Sequence, residues 1–294
     1  MRTAVITTVH GRGDHLRRQI AGLQLSNRPT DMHIVVALGD PTVQDVVASA
    51  ASSAIVIDCR NANDELPVAQ GRNVGAAAAL HCGAELLVFL DVDCIPAAAL
   101  IGRYHHAATH QEHAQALLCG PVTYLPPPAP GGYALNQLTS QINPHPGRPA
   151  PAGTHIVTST DYTLFWSLSF AVSAATWKQI GGFCELYRGY GGEDTDFAQS
   201  AAAAGVTMRW VGGADAFHQY HPVSDPPVEH IDDILRNTTL FHQRWGWWPM
   251  QGWLREFENR GLIQRGADGQ PHRLSAGTPS GPDRAPTAND HRLL

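Results

Sequence analysis

The sequence is short of charge, of paired cysteines and of long apolar runs, and each shortage closes off a class of protein. Charged residues make up 16% of its 294 positions, and the net charge is −6. With no basic stripe to offset that sign, nucleic acid is excluded as the main partner. The five cysteines, Cys59, Cys82, Cys94, Cys119 and Cys184, are odd in number and widely spaced, with no C-x-x-C pair. They read as reduced cytoplasmic thiols, not as a disulfide framework or a zinc knuckle. No stretch reaches the ~18 uncharged apolar residues of a membrane span. The first apolar run, over 4–9, is too short for a signal peptide. A G-x-G-x-x-G dinucleotide fingerprint is missing too. The expectation is a soluble cytoplasmic protein, with one large domain's worth of core or two small ones.

What is present alternates. Apolar runs over 4–9, 34–38, 54–58, 86–90, 116–124, 163–172 and 206–211 read as strands. Helical patterns fall between them: one with Leu16, Ile20 and Leu23 on a face and Asp14 as N-cap, then 42–51, 67–82, 97–110 and 173–180. Such alternation predicts right-handed crossovers and an α/β fold with a mainly parallel sheet. The sequence divides into 1–124, a Pro/Gly-rich loop over 125–157 of the kind that forms lids or binding loops, and 158–222. A helical extension over 223–265 carries Trp245, Trp247, Trp248 and Trp253. These read first as a core cap and second as a platform for sugars, partners or a membrane surface. Residues 266–294, poor in large apolar side chains, read as a disordered tail.

The stretch that organises the chain is the strand 86–90 running into Asp91 and Asp93. Ligands of open α/β sheets bind beyond the strand ends, and two carboxylates there suit a hard divalent cation that shares oxygen ligands with a substrate phosphate. Two acids at a strand end are also an ordinary solvated cap, so the neighbours decide. Arg12, in the glycine turn after the first strand, fits either a phosphate site or a solvated surface. Arg72 and Asn73 lie on a helix of small residues that packs closely, where a charged side chain calls for an anionic partner. Glycines 191 and 192 precede Glu193, Asp194 and Asp196, which are either acids favoured in a first helical turn or part of a catalytic set. His218 and His221, just past the last strand, offer a nitrogen ligand, although 16 histidines make chance pairs common.

Taken in order, Gly71-Arg72-Asn73-Val74-Gly75 and Phe89-Leu90-Asp91-Val92-Asp93-Cys94-Ile95-Pro96 resemble the family-two glycosyltransferases of the GT-A fold. Gly181-Gly182-Phe183, Gly191-Gly192-Glu193-Asp194-Thr195-Asp196-Phe197, His218 and His221 are similar to the C-terminal module of β-1,4-galactosyltransferase-like enzymes. The segment from Thr8 to Leu16 resembles the group's nucleotide-binding opening. The resemblance implies a metal-dependent, inverting transfer of a sugar from a nucleotide diphosphate sugar, UDP-sugar favoured, to a hydroxyl of a glycan, lipid or small molecule. It implies Mn²⁺ or Mg²⁺ on Asp93, with Asp91 on the same ion or the ribose, and His218, ahead of His221, as nitrogen ligand. Donor contacts fall to Thr8, Arg12, Asp40, Arg72, Asn73 and Asp91. Asp194 is the implied general base. Glu193 helps hold the acceptor, alongside Trp166, Tyr190, Gly191 and Gly192. The sequence departs from the pattern at the second strand, where only Asp40 stands in for an acidic pair, and at Cys184, which replaces an acid. The rival readings are a nucleotidyltransferase and a catalytically silent glycan-binding scaffold. Peripheral contact with the inner face of a membrane stays open.

Overall fold

The computed structural model describes residues 1–60 and 65–274. Two compact units divide the chain: Met1–Gly189 with Glu193–His221, and Tyr190–Gly192 with the residues from Pro222 onward.

The first unit opens β1 (Thr3–Val9), α1 (Gly13–Gln24), β2 (Met32–Ala37), α2 (Val43–Ser49), β3 (Ile55–Asp58), α3 (Val68–His81), β4 (Leu86–Leu90). It continues through β5 (Cys94–Pro96), α4 (Leu100–Thr109), β6 (Leu117–Cys119), β7 (Val122–Tyr124), β8 (Ile156–Ser159), β9 (Ser169–Ser173), α5 (Ala174–Ile180), α6 (Glu193–Ala203), β10 (Met208–Val211) and β11 (Ala216–His218). Eight strands form one sheet in the order β3-β2-β1-β4-β9-β6-β10-β8. Its β3-β2-β1-β4 part is parallel, as the alternation of strands and helices predicts. β9 runs antiparallel to both β4 and β6, and β8 antiparallel to β10.

β4 is buried along its whole length because helices cover both faces of the sheet. Successive side chains alternate between those faces. Leu87 and Phe89 join the cluster under α3, α5 and α6, with Phe170, Trp177, Phe183 and Phe197. Leu86, Val88 and Leu90 join the cluster under α4, with Ile101 and Tyr104. The ring of Phe89 lies 4.5 Å from Phe170 and 5.0 Å from Trp177, both stacked. α3 reaches the sheet through glycines one turn apart. A Cβ on Gly71 would meet Leu38 at 2.6 Å, and one on Gly75 would meet Ile6 at 2.5 Å.

A second sheet of three strands, β5-β11-β7, crosses the exit of β4. Its register sets His218 opposite Cys94 on one side and Tyr124 on the other.

Several local expectations give way to the structure. Arg12, not Asp14, occupies the N-cap position of α1, and Asp14 lies inside the first turn. The run 116–124 is two strands, β6 and β7, which belong to different sheets. The run 163–172 begins with a 3-10 turn, Tyr162–Leu164, and only its end is strand; the bulky residues marked burial there, not extension.

The second unit contains α7 (Ile231–Trp245), α8 (Gln251–Asn259) and a hairpin of β12 (Ile263–Arg265) and β13 (Pro271–Arg273). Ile231, Ile234, Leu254, Phe257 and Ile263 make its core, with Trp248 and Trp253 packed against it. Those two tryptophans therefore cap a core, while Trp247 is partly exposed against Phe241. The tail expected to be disordered contributes β13 to this hairpin; residues 275–294 lie outside the described residues. No helix among the described residues is long and apolar enough to cross a membrane.

The Gly75 contact carries a prediction. Gly75→Ala should lower the urea midpoint by an amount worth roughly 1–3 kcal/mol with little change in slope, because the new methyl overpacks Ile6 and Val36.

Candidate active site

The site lies where β4 leaves the core. Strand alternation continues one residue past β4, so Asp91 emerges on the face that carries Phe89, the face that α3 covers. Arg72 of α3 meets it there. Its Nη2 donates to Asp91 Oδ1 at 3.0 Å and to Ser167 Oγ at 2.8 Å, and its Nη1 donates to Glu193 Oε1 at 3.1 Å. The guanidinium sits 5.0 Å from the Phe183 ring centroid and is only 4% exposed. Burial works against the charge, but Asp91 and Glu193 outweigh it, and the Arg72 pKa rises above its ordinary value. This is the anionic partner that a charged side chain on a packed helix requires.

Asp194 follows Glu193 in the first turn of α6, and its Oδ1 accepts from the Thr195 N–H at 2.6 Å. Burial first, then the neighbouring Glu193 carboxylate, raise the Asp194 pKa to about 7, with Arg72 pulling the other way. A carboxylate tuned in this way is a competent base near neutrality.

Asp93 belongs to a different group. Its Oδ2 lies 3.5 Å from Nε2 of His218 and 3.5 Å from Nε2 of His221, and 3.9 Å from Nη1 of Arg12. One ligand atom from each of Asp93, His218 and His221 lies within 4.8 Å of the others. Asp93 Oδ1 is buried and has no hydrogen-bond partner. Burial opposes ionisation of Asp93, yet His218, His221 and Arg12 together hold its carboxyl well below the usual carboxylate range. One carboxylate, two imidazoles and an orphaned buried oxygen fit a divalent cation with mixed oxygen and nitrogen ligands. The two histidines stand equally close to Asp93.

The sequence-based site residues separate cleanly. Asp91 is outside the cluster that Asp93 forms with the histidines, because Arg72 engages its carboxylate. Asn73 turns its whole amide to the fold. Its Nδ2 donates to Phe183 O and Glu185, and its Oδ1 accepts from the Phe183 N–H, which pins the turn after α5. Asp40 braces the loop at the end of β1, accepting from the N–H of Gly11 at 2.8 Å and from Thr42. Thr8 lies at the β1–β2 pairing, half-buried beneath Gly71. Arg12 lines an open cleft of about 570 Å³ with His15, Arg17, Arg18 and Tyr220. Trp166 extends a row of rings from the triad: His218 stacks on Tyr124 at 4.5 Å, Tyr124 meets His145 at 5.5 Å, and His145 meets Trp166 at 5.1 Å. Tyr190, Gly191 and Gly192 fall in the second unit. There Asn237 donates to the carbonyls of Tyr190 and Gly191, and the Tyr190 ring stacks on His230.

Two glutamines escaped the sequence reading. Gln19 of α1 donates to the carbonyls of Asp91 at 2.7 Å and Cys94 at 3.1 Å, and the Gln219 N–H donates to Asp93 O at 2.7 Å. They clamp the backbone of the D-x-D turn. Single glutamines carry no motif, and only the buried position of Gln19 on an otherwise apolar face hints at it.

By structure, the chain is similar to GalNAc-T7 crystallised with UDP, GalNAc and Mn²⁺, with TM-score 0.58 and 13% identity over 89% of this chain and 57% of that one. It is also similar to S. aureus TarS 1-349 in complex with UDP-GlcNAc, with TM-score 0.56 and 13% identity over 81% of this chain and 66% of that one. The fold is GT-A. Residues 152–222 match the family described as the N-terminal domain of galactosyltransferase, the region expected to resemble that group. No curated protein matches by sequence. The GT-A chain spans 57% and 66% of the lengths of these two structures.

Removing the buried cation tests the geometry. Arg72→Met should cost roughly 3–5 kcal/mol in urea unfolding, since Asp91 and Glu193 then face each other without a partner.

Proposed function

We propose that this GT-A chain transfers a sugar from a nucleotide diphosphate sugar, UDP-linked as in the ligands of its structural neighbours, to an acceptor hydroxyl, with inversion. One observation carries the reading: Arg72 ties Asp91, at the end of β4, to Glu193, at the head of α6, and so holds Asp194 in one site with the acids of the D-x-D turn.

Asp93, His218 and His221 would hold the divalent cation, which supplies charge neutralisation for the departing diphosphate. Arg12 stands beside Asp93 with a second positive charge for the same anion. Asp194 takes the proton from the acceptor hydroxyl. The acceptor oxygen bonds to the anomeric carbon, the bond from that carbon to the diphosphate oxygen breaks, and the electron pair leaves with the nucleoside diphosphate. Attack opposite the leaving group inverts the carbon. A base aligned in this way contributes about 10²–10⁴-fold. The loop between β7 and β8 begins on His218, whose carbonyl accepts from the Leu125 N–H at 2.9 Å. From that position it closes over the donor and limits water.

Three substitutions and a pH profile test the proposal. Asp194→Asn should retain UDP binding while transfer falls by at least 10²-fold; near-normal transfer would remove Asp194 as base. The base works only when ionised, so transfer should fall tenfold per pH unit below about 7. Because Glu193 raises the Asp194 pKa, Glu193→Gln should move that acid limb to lower pH, read from a kcat/KM profile. Asp93→Ala should abolish Mn²⁺-dependent UDP affinity in calorimetry, and unchanged affinity would remove the cation from Asp93.

A further inference from the structure

A second group of ligand-type side chains gathers in the turn before β6, an inner strand of the large sheet. α4 ends at Thr109, and in the turn that follows the His113 N–H donates to His110 O at 2.9 Å. That turn stacks the two imidazoles with ring centroids 5.1 Å apart. One ligand atom from each of His110, Glu112 and His113 lies within 4.8 Å of the others. Nδ1 of His113 is buried, makes no hydrogen bond, and points to Glu112 Oε1 at 4.0 Å. Arg209 of β10 holds the same carboxylate, donating from Nη1 at 3.1 Å.

The position separates this group from the transfer site. β6 runs parallel to β10 and, through β9, parallel to β4. The turn precedes β6, so it sits at the starting ends of these strands, whereas Asp91 and Asp93 follow the finishing end of β4. Nothing in the transfer chemistry uses His110, Glu112 or His113.

We propose that His110, Glu112 and His113 form a transition-metal site of the zinc class. Two imidazoles and one carboxylate select Zn²⁺, Ni²⁺ or Cu²⁺ over Mg²⁺, which prefers oxygen ligands. Tetrahedral zinc holds its ligand atoms about 3.3 Å apart, so separations of up to 4.8 Å have to contract by at most about 1.5 Å. His110 and Glu112 are exposed and have room to do so. A stacked histidine pair at a helix end accounts for the rings but leaves the buried Nδ1 of His113 without a partner. The metal gives it one. Arg209, gripping the carboxylate from β10, orients the ligand and couples the turn to the sheet.

The test is Zn²⁺ calorimetry on the chelator-stripped full chain. To remove the other candidate cluster, the background is His218→Ala with His221→Ala, folding being checked by circular dichroism. One tight equivalent of Zn²⁺ should remain in that background. His110→Ala, at an exposed position, should weaken it at least tenfold, and His113→Ala should do the same. Arg209→Ala should weaken it about tenfold by releasing the carboxylate. Absence of a tight equivalent in the background protein overturns the site, as does unchanged affinity after His110→Ala. Neither result bears on sugar transfer, so the two proposals fail independently.

Discussion

A single buried guanidinium holds the two halves of the candidate site together. Arg72 comes from α3 before β4, Asp91 from the end of β4, and Glu193 from the head of α6, far along the chain. Burying a charge in such a place is costly unless it is paired, and here two carboxylates and a serine hydroxyl meet it. The arrangement has one consequence for each acid. Asp91 is committed to Arg72, Glu193 is anchored, and Asp194, beside Glu193 in a poorly solvated turn, is left with a raised pKa. Arg72 thus fixes the place of Asp194 through Glu193, while burial and the Glu193 carboxylate raise its proton affinity.

The cluster of Asp93, His218 and His221 depends on a different constraint, strand register. β5, β7 and β11 are each three residues long, too short to announce themselves by alternation. Their pairing sets His218 beside Cys94 and Tyr124, within reach of Asp93. The D-x-D turn is fixed from below by Gln19 and from the side by Gln219. Asp93 can therefore face two histidines while its neighbour two residues back faces Arg72.

Much of this was legible in the residues, and the failures have physical reasons. β4 and α3 were plain because unbroken apolar runs and small-residue helices have few alternatives in a sheet covered on both faces. The pairing of Arg72 with an acid followed from charge on a packed helix, and that of Asp93 with the histidines from the family resemblance. Which of the two acids meets Arg72 depended on the turn after β4, since Asp91 and Asp93 share side-chain parity and only the turn's backbone hydrogen bonds separate them. Asn73 looked like part of a binding motif, but its amide closes the turn at Phe183. The strand expected over 163–172 started late because aromatic residues such as Phe165 mark burial equally well in a turn. The tail's hairpin rests on β12 and β13, each only three residues, beneath any periodic signal.

In the proposed function the Asp93 cluster and the Arg72 bridge form one cation-dependent nucleotide-sugar site. The most direct measurement is thermal unfolding of the chain with UDP or UDP-sugars, each in Mn²⁺ and in chelator. Ligand at 100 times its dissociation constant stabilises by about 2.7 kcal/mol, which registers as a shift of several degrees. Tm should rise with a uridine nucleotide in Mn²⁺, and the rise should disappear in chelator. A rise of equal size in chelator would contradict the role of the cation, and no rise with any nucleotide sugar would contradict the site itself.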